Sequence, residues 1–238
     1  MKILLALSWA PWPVRRGTDR LMMNLAGGLA KGHEVFLVTM ALDRAGLREV
    51  EDAAQTGVRV RAILAPNRRS ALHRAAYRVR NAALRRLARV PRQTLYAAPP
   101  AFLDAVRRTA RVEAIDAVIA SYWHLYRLAG TTGAPIEALL THDIDFRVHE
   151  ERIARGLSTL PPGEAERRER IEREAYRRYR RIVTVTPRDA ETLKELDETR
   201  GATILPLPLA MDLDRFRPGG GRRETDTILL LGSFDADF

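Results

Sequence analysis

Short apolar runs alternate with helix-length segments along this chain, and few folds accommodate that order. Lys2–Ser8 (KILLALS), His33–Thr39 (HEVFLVT), Val58–Leu64, Ile115–Ser121 (IDAVIAS), Ile136–Thr141 (IEALLT), Arg181–Val185 and Ala202–Pro206 read as strands. Between the first two, Leu21, Met22, Leu25 and Leu29 recur at helical spacing, and Gly32 ends the segment that opens at Thr18. Further helices are expected over Asp43–Gln55, Ser70–Val90, Pro100–Arg111, near Tyr122–Gly130, over about Ile144–Gly156 and Gly163–Arg178, and over Pro187–Leu196. Strands alternating with helices predict a Rossmann-like α/β fold, a parallel sheet with helices on both faces.

The 238 residues suffice for a proper core without covalent staples. One domain is expected over residues 1–218. Residues 219–238 read as a linker rich in Gly and Arg, followed by the apolar run Thr227–Leu231 and then Gly232 and Ser233. A strand ending in Gly-Ser opens a second α/β domain, so the chain is expected to be the N-terminal half of a longer protein. The charge-free run Ile3–Val14 is too short for a membrane span, which needs about 20 apolar residues. Pro11 and Pro13 interrupt it and no small-residue cleavage site follows, so a secretory signal is disfavoured and a cytoplasmic location is expected. With no cysteine there is no disulfide, thiolate metal site or cysteine nucleophile.

Net charge is +10, with a pI near 10.7, and all but three of the 40 basic residues are arginine. Two causes stand open. A GC-rich genome writes arginine and alanine whatever the function, and a phosphate-rich or anionic partner favours the same excess. The charge concentrates between Arg68 and Arg92, where no acidic residue occurs. On a helix, Leu72, Ala76, Val79, Ala83, Leu87 and Val90 share one face, while Arg74, Arg78, Arg85 and Arg89 share the opposite one. Such a helix either meets a membrane surface or polyanion, or lays its apolar stripe on the sheet and leaves the arginines in solvent. A peripheral site at the inner face of the membrane fits the first alternative. Nucleic acid is disfavoured, because aromatics make up 6% and no recognition motif appears.

Ligands of a parallel sheet bind at the carboxyl ends of its strands. Two loops lie there. Ser8–Gly17 leads into a helix N-terminus, where Gly17 lets a ligand approach the backbone and the amides of Thr18 and Asp19 suit an anion. Thr18 is the expected cap of that helix. No GxGxxG occurs, which disfavours a dinucleotide cofactor and a Rossmann oxidoreductase. The second loop is Thr141–Asp145, in which His142 is placed to touch a polar substrate and to accept or donate a proton. Asp143 beside it is expected to cap the following helix. The five histidines show no metal-ligand spacing, so no metal site is expected.

In order, KILLALS, Gly17, NLAGGLAKGHEVFLVT, THDIDF, ERIEREAYRRYRRIVTVTPRDAETL and PLAMDLDRFRP make a recognisable series. It resembles the N-terminal domain of the retaining glycosyltransferases of family 4, which have a GT-B fold of two Rossmann-like domains. Pro208, Asp212, Phe216 and Pro218 match the last motif, and Thr186 stands where serine is usual. Arg16 replaces one of the family's paired glycines, and Leu209 and Ala210 replace Asn and Gly. The resemblance implies transfer of a sugar from a nucleotide-sugar donor to an acceptor, with no cofactor and no divalent metal. Gly17 would lie near the diphosphate, His142 would approach the transferred sugar, and Trp9–Arg16 would shape the acceptor site. Arg16, Thr18 and Asp143 are further candidates for substrate binding. The donor-binding Glu-x7-Glu motif belongs to the second domain, so this half is expected to be inactive alone. The rival reading is a non-catalytic basic α/β module that binds anionic lipid or nucleic acid.

Overall fold

Each strand of a parallel sheet must be apolar on both faces, because crossover connections cover both. The computed structural model describes residues 1–14, 16–41, 43, 45–48, 57–65 and 71–208. The seven strands expected before residue 207 form in it: β1 (Lys2–Leu7), β2 (Glu34–Ala41), β3 (Val58–Leu64), β4 (Ala117–Ser121), β5 (Ile136–Thr141), β6 (Arg181–Thr184) and β7 (Thr203–Pro206). They pair in parallel in the order β3-β2-β1-β4-β5-β6-β7. Order reverses between β1 and β4, where the register sets Leu5 beside Ile119 and Ala6 beside Ala120. Leu4, Leu5 and Ala6 are fully buried there. Burial of each such leucine stabilises the fold by about 1.5–3 kcal/mol relative to exposure.

The helices are α1 (Gly17–Ala30), α2 (Ala71–Leu87), α3 (Arg92–Ala97), α4 (Pro100–Val112), α5 (Asp145–Ala154), α6 (Glu164–Arg178) and α7 (Pro187–Lys194). Two 3₁₀ turns, Trp123–Leu128 and Asp197–Thr199, complete the described elements. On one face Met22 and Ala26 of α1 pack with Ile3, Leu5, Leu37 and Leu140. On the other, Phe102 and Val106 of α4, Trp123, and Ala175 and Tyr176 of α6 pack against Leu4, Val38, Val118 and Leu139. The expected two-faced α/β architecture therefore holds. The expected strand at 227–231, the boundary at residue 218 and most of the helix read over Asp43–Gln55 lie outside the described residues.

The apolar stripe of α2 does not lie on the sheet. Leu72, Val79 and Leu87 are 81%, 71% and 86% exposed, whereas Tyr77 and Asn81, on another face, are the buried side chains of the helix. The cause is competition: Phe102, Leu103 and Val106 of α4 fill that side of the sheet. Tyr77 instead fastens α2 to α3, its hydroxyl donating to the Leu95 carbonyl at 2.6 Å and its ring meeting Tyr96 edge-on.

Candidate functional site

Three loops leave the sheet where its order reverses: from β1 (Ser8 onward), from β4 (Tyr122–His124) and from β5 (His142 onward). The first is tied down by Asp19, the third residue of α1. Its buried carboxylate accepts from the Trp9 indole Nε1–H at 2.8 Å and from the Arg16 backbone N–H at 2.9 Å. The Trp9 carbonyl also accepts from the Thr39 hydroxyl of β2 at 2.6 Å. Arg16, not Thr18, is thus the N-cap of α1. A guanidinium carries no acceptor, so Asp19 caps the Arg16 amide without a reciprocal side-chain bond. The intrahelical ladder begins with Arg20 N–H to the Arg16 carbonyl, which places the Gly17 and Thr18 amides in the first turn, ahead of it. A Cβ at Gly17 would meet nothing within 4 Å, so packing within the chain does not require glycine there.

The loop after β4 holds Tyr122 at φ 74°, ψ 149°, a region that favours glycine and stores about 1–3 kcal/mol of strain. Its backbone N–H, donating to the Leu140 carbonyl at 2.9 Å, holds the turn in place. The conformation sets the Tyr122 ring against His142, with centroids 4.3 Å apart, and against His124, at 5.5 Å. Trp9 closes the group edge-on, 5.4 Å from Tyr122 and 6.1 Å from His142. The two imidazoles are anchored by hydroxyls: His142 Nε2 lies 2.8 Å from Ser121 Oγ, and His124 Nε2 lies 2.9 Å from Ser8 Oγ. Both histidines are 4% exposed. Burial pushes His142 down to about 4, and burial with neighbouring His142 pushes His124 down to about 3. Both rings are therefore neutral at pH 7, and the Nδ1 of His124 is buried without a hydrogen-bond partner. Burial, then Asp143 and Asp145, raise the Tyr122 phenol, which stays protonated.

Asp143 is not the cap of α5. That helix starts at Asp145 with Ile144 as N-cap, and its cap acceptor comes from α6. Glu172, fully buried, accepts the Asp145 and Phe146 amides at 2.8 Å each and the Tyr176 hydroxyl at 2.6 Å. Burial pushes the Glu172 carboxyl up to about 8, with Asp145 adding, against these donors, which favour the charged form. Asp145 accepts in turn from Trp123 Nε1–H at 2.8 Å. Asp143 itself projects outward and accepts the Thr141 hydroxyl on its carbonyl at 2.6 Å. Burial of its carboxyl, then Asp145 and Asp189, raise its pKa.

The structure thus gathers His142 with Tyr122, His124 and Trp9 at one crevice. Arg16 joins the wall of an adjoining cleft of about 480 Å³, lined also by Trp9, Trp12, Asp19, Met40 and Tyr96. Sequence reading missed Tyr122, His124 and Glu172. The first two had a signal, since they follow β4 as His142 follows β5. Among the described residues no three His, Asp or Glu side chains converge as a metal would need.

A family model for the glycosyl transferase 4-like domain matches residues 16–210. No match was found among curated proteins. Among solved structures, UGT73P12 of Glycyrrhiza uralensis, complexed with glycyrrhetinic acid 3-O-monoglucuronide, is similar at 10% identity and a TM-score of 0.47. The match covers 87% of this chain and 48% of that one. Apo UGT2 of Phytolacca americana is similar at 13% identity and a TM-score of 0.46, over 90% and 53% of the two chains. This chain spans about half the length of those structures. Because the family model spans most of its length, from just before α1 to past β7, the chain belongs to the glycosyl transferase 4-like domain family.

Proposed function

We propose that this chain is the acceptor-side half of a retaining glycosyltransferase of GT-B architecture, which moves a sugar from a nucleotide-sugar donor to an acceptor hydroxyl. The observation that carries the reading is the group of Trp9, Tyr122, His124 and His142 at the point where strand order reverses. Its polar groups are neutral and its walls are aromatic, which suits an uncharged sugar ring better than a phosphate. His142 approaches the transferred sugar, offering an imidazole with Nε2 committed to Ser121 and Nδ1 left to orient a hydroxyl. The start of α1, with Gly17, Thr18 and the Arg16 cation, suits the leaving diphosphate through its amides and positive end. Asp143, at the outer edge of the same loop, is placed for a polar contact with substrate.

In the reaction the donor C1–O bond to diphosphate breaks while a C1–O bond to the acceptor forms on the same face. The acceptor proton passes to the leaving phosphate oxygen. No pair of opposed carboxylates is needed for that route. The nucleotide is held mostly by a second domain, so residues 1–238 alone turn nothing over. The test is nucleotide release from a panel of UDP-, GDP-, ADP- and dTDP-sugars. The protein translated from the whole reading frame is compared with residues 1–238. Acceptor-dependent release by the whole protein from one donor, with none from 1–238, is expected. Turnover by 1–238 alone would overturn the division of the site, and no release by the whole protein would overturn the transferase reading.

A further inference from the structure

The cleft of about 480 Å³ over the ends of β1 and β2 has Trp9, Trp12, Met40 and Tyr96 on its wall, with Ser8 and Asp43 as polar groups among them. The Trp9 indole N–H is already given to Asp19, so that side chain offers the cleft only its ring. Ser8 Oγ lies 2.9 Å from His124 Nε2, while the buried Nδ1 of His124 has no hydrogen-bond partner among the described residues. A neutral imidazole carries one N–H, and a buried N–H is not left orphaned when an acceptor stands at the other ring nitrogen. The proton therefore sits on Nε2 and is donated to Ser8, whose own hydroxyl proton has no other acceptor among the described residues. Burial, then neighbouring His142, hold His124 down to about 3, too weak a base to make Ser8 a nucleophile. Asp43 is exposed and accepts the Gly46 amide on Oδ1 at 2.7 Å, with no bond to Oδ2 among the described residues. The charged side chains on the wall are Arg16 against Asp19 and Asp43. A chain of net charge +10 thus presents here, among the described residues, an excess of carboxylate.

We infer that the acceptor held in this cleft is a neutral sugar, its ring against the aromatic wall, one hydroxyl accepting from Ser8 and another donating to Asp43. His124 is a positioning residue, which leaves the Ser8 proton to the ligand by donating Nε2–H to the Ser8 oxygen. The acceptor role rests on the transferase reading above, whereas the choice of ligand rests on the cleft itself. Apolar walls with a few placed polar groups bury a small ligand and set its orientation. A donor and an acceptor on one wall match a hydroxyl-bearing ring, because each hydroxyl both gives and takes a bond. A phosphorylated or carboxylated acceptor would set its charge against the carboxylates. A plain aromatic or hydrocarbon acceptor would desolvate Ser8 and Asp43 without pairing them. Trp9 borders both this cleft and the crevice of His142, so an acceptor hydroxyl here adjoins the place of the transferred sugar.

The test is titration of this chain, followed by saturation-transfer NMR, with the methyl glycosides of glucose, galactose, mannose and N-acetylglucosamine. The phosphate monoesters of the same sugars and phenol are titrated alongside. At least one glycoside should saturate with a Kd in the millimolar range, as a ligand of about a dozen heavy atoms allows. Its phosphate monoester should bind at least about fivefold more weakly, and Asp43→Asn should bring the two within about twofold. Ser8→Ala should weaken the glycoside about tenfold, with the melting midpoint recorded beside it. That variant also strips His124 of its partner, so a second measurement uses wild type alone. Proton–nitrogen correlation spectra of the imidazoles should show His124 protonated on Nε2 and bare on Nδ1. Failure of every glycoside to bind, or a phosphate monoester or phenol that binds as tightly as the best of them, would overturn the inference. So would a proton on His124 Nδ1, a folded Ser8→Ala protein that binds like wild type, or an Asp43→Asn protein with an unchanged gap. Binding is read without turnover, so any of these failures leaves nucleotide release to judge the transferase reading.

Discussion

A buried neutral histidine makes the folded protein refuse a proton that the unfolded chain accepts, and at His142 the effect is measurable by difference. The perturbation is a drop from pH 7 to pH 5 in wild type and in His142→Gln, whose amide can still bond Ser121. The folded pKa is depressed to about 4 from an unfolded 6.5. The unfolded state therefore binds more protons between those values. The stability in question is complete above about pH 6.5 and is lost as pH falls toward 4. At pH 5 the unfolded imidazole lies about 1.5 units inside its charged range, which at about 1.36 kcal/mol per unit costs about 2 kcal/mol. That figure barely depends on how far below 5 the folded value lies. His124 adds a loss of the same sign, part of it through His142 itself, while Glu172, pushed up to about 8, gains on acidification in wild type and variant alike and cancels in the difference. Urea unfolding followed by circular dichroism at both pH values gives the four stabilities. Wild type should lose about 2 kcal/mol more than His142→Gln. Equal pH dependence would refute a neutral, desolvated imidazole at this position.

Two further substitutions probe the scaffold of the site. Glu172→Ala leaves the Asp145 and Phe146 amides and the Tyr176 hydroxyl without their acceptor. At about 1–3 kcal/mol per orphaned group, less the relief of removing a buried carboxyl, the loss should be about 3 kcal/mol in a urea titration, and under 1 would contradict the capping role. Trp9→Phe keeps the ring contact with Tyr122 but removes the donor to Asp19, which should cost about 1–2 kcal/mol by thermal melting, and an unchanged midpoint would mean the Asp19 tie is idle.

The strands were legible because a sheet covered on both faces demands uninterrupted apolar runs, and KILLALS, IDAVIAS and IEALLT have them. The position of His142 in the loop after β5 was legible for a related reason, its place one residue after such a run. Asp143 was misread as a cap because the real acceptor, Glu172, arrives from another helix, and local sequence carries no trace of a bond formed 27 residues away. Tyr122 escaped notice because its positive φ is imposed by the Leu140 carbonyl and the packing of two histidines, not by a residue type that favours that conformation. The stripe of α2 looks the same in sequence whether it meets a sheet or points outward. Only the presence of α4 on the sheet decides it.

Turnover of the whole-frame protein carrying His142→Gln tests the proposed site most directly. Nucleotide release from the preferred donor should fall on the order of a hundredfold in kcat, within the range expected when a positioned polar group is lost from a transition state. The folded fraction at pH 7 should match wild type. Undiminished kcat in a folded His142→Gln protein would contradict the placement of the transferred sugar against the Trp9–Tyr122–His142 wall.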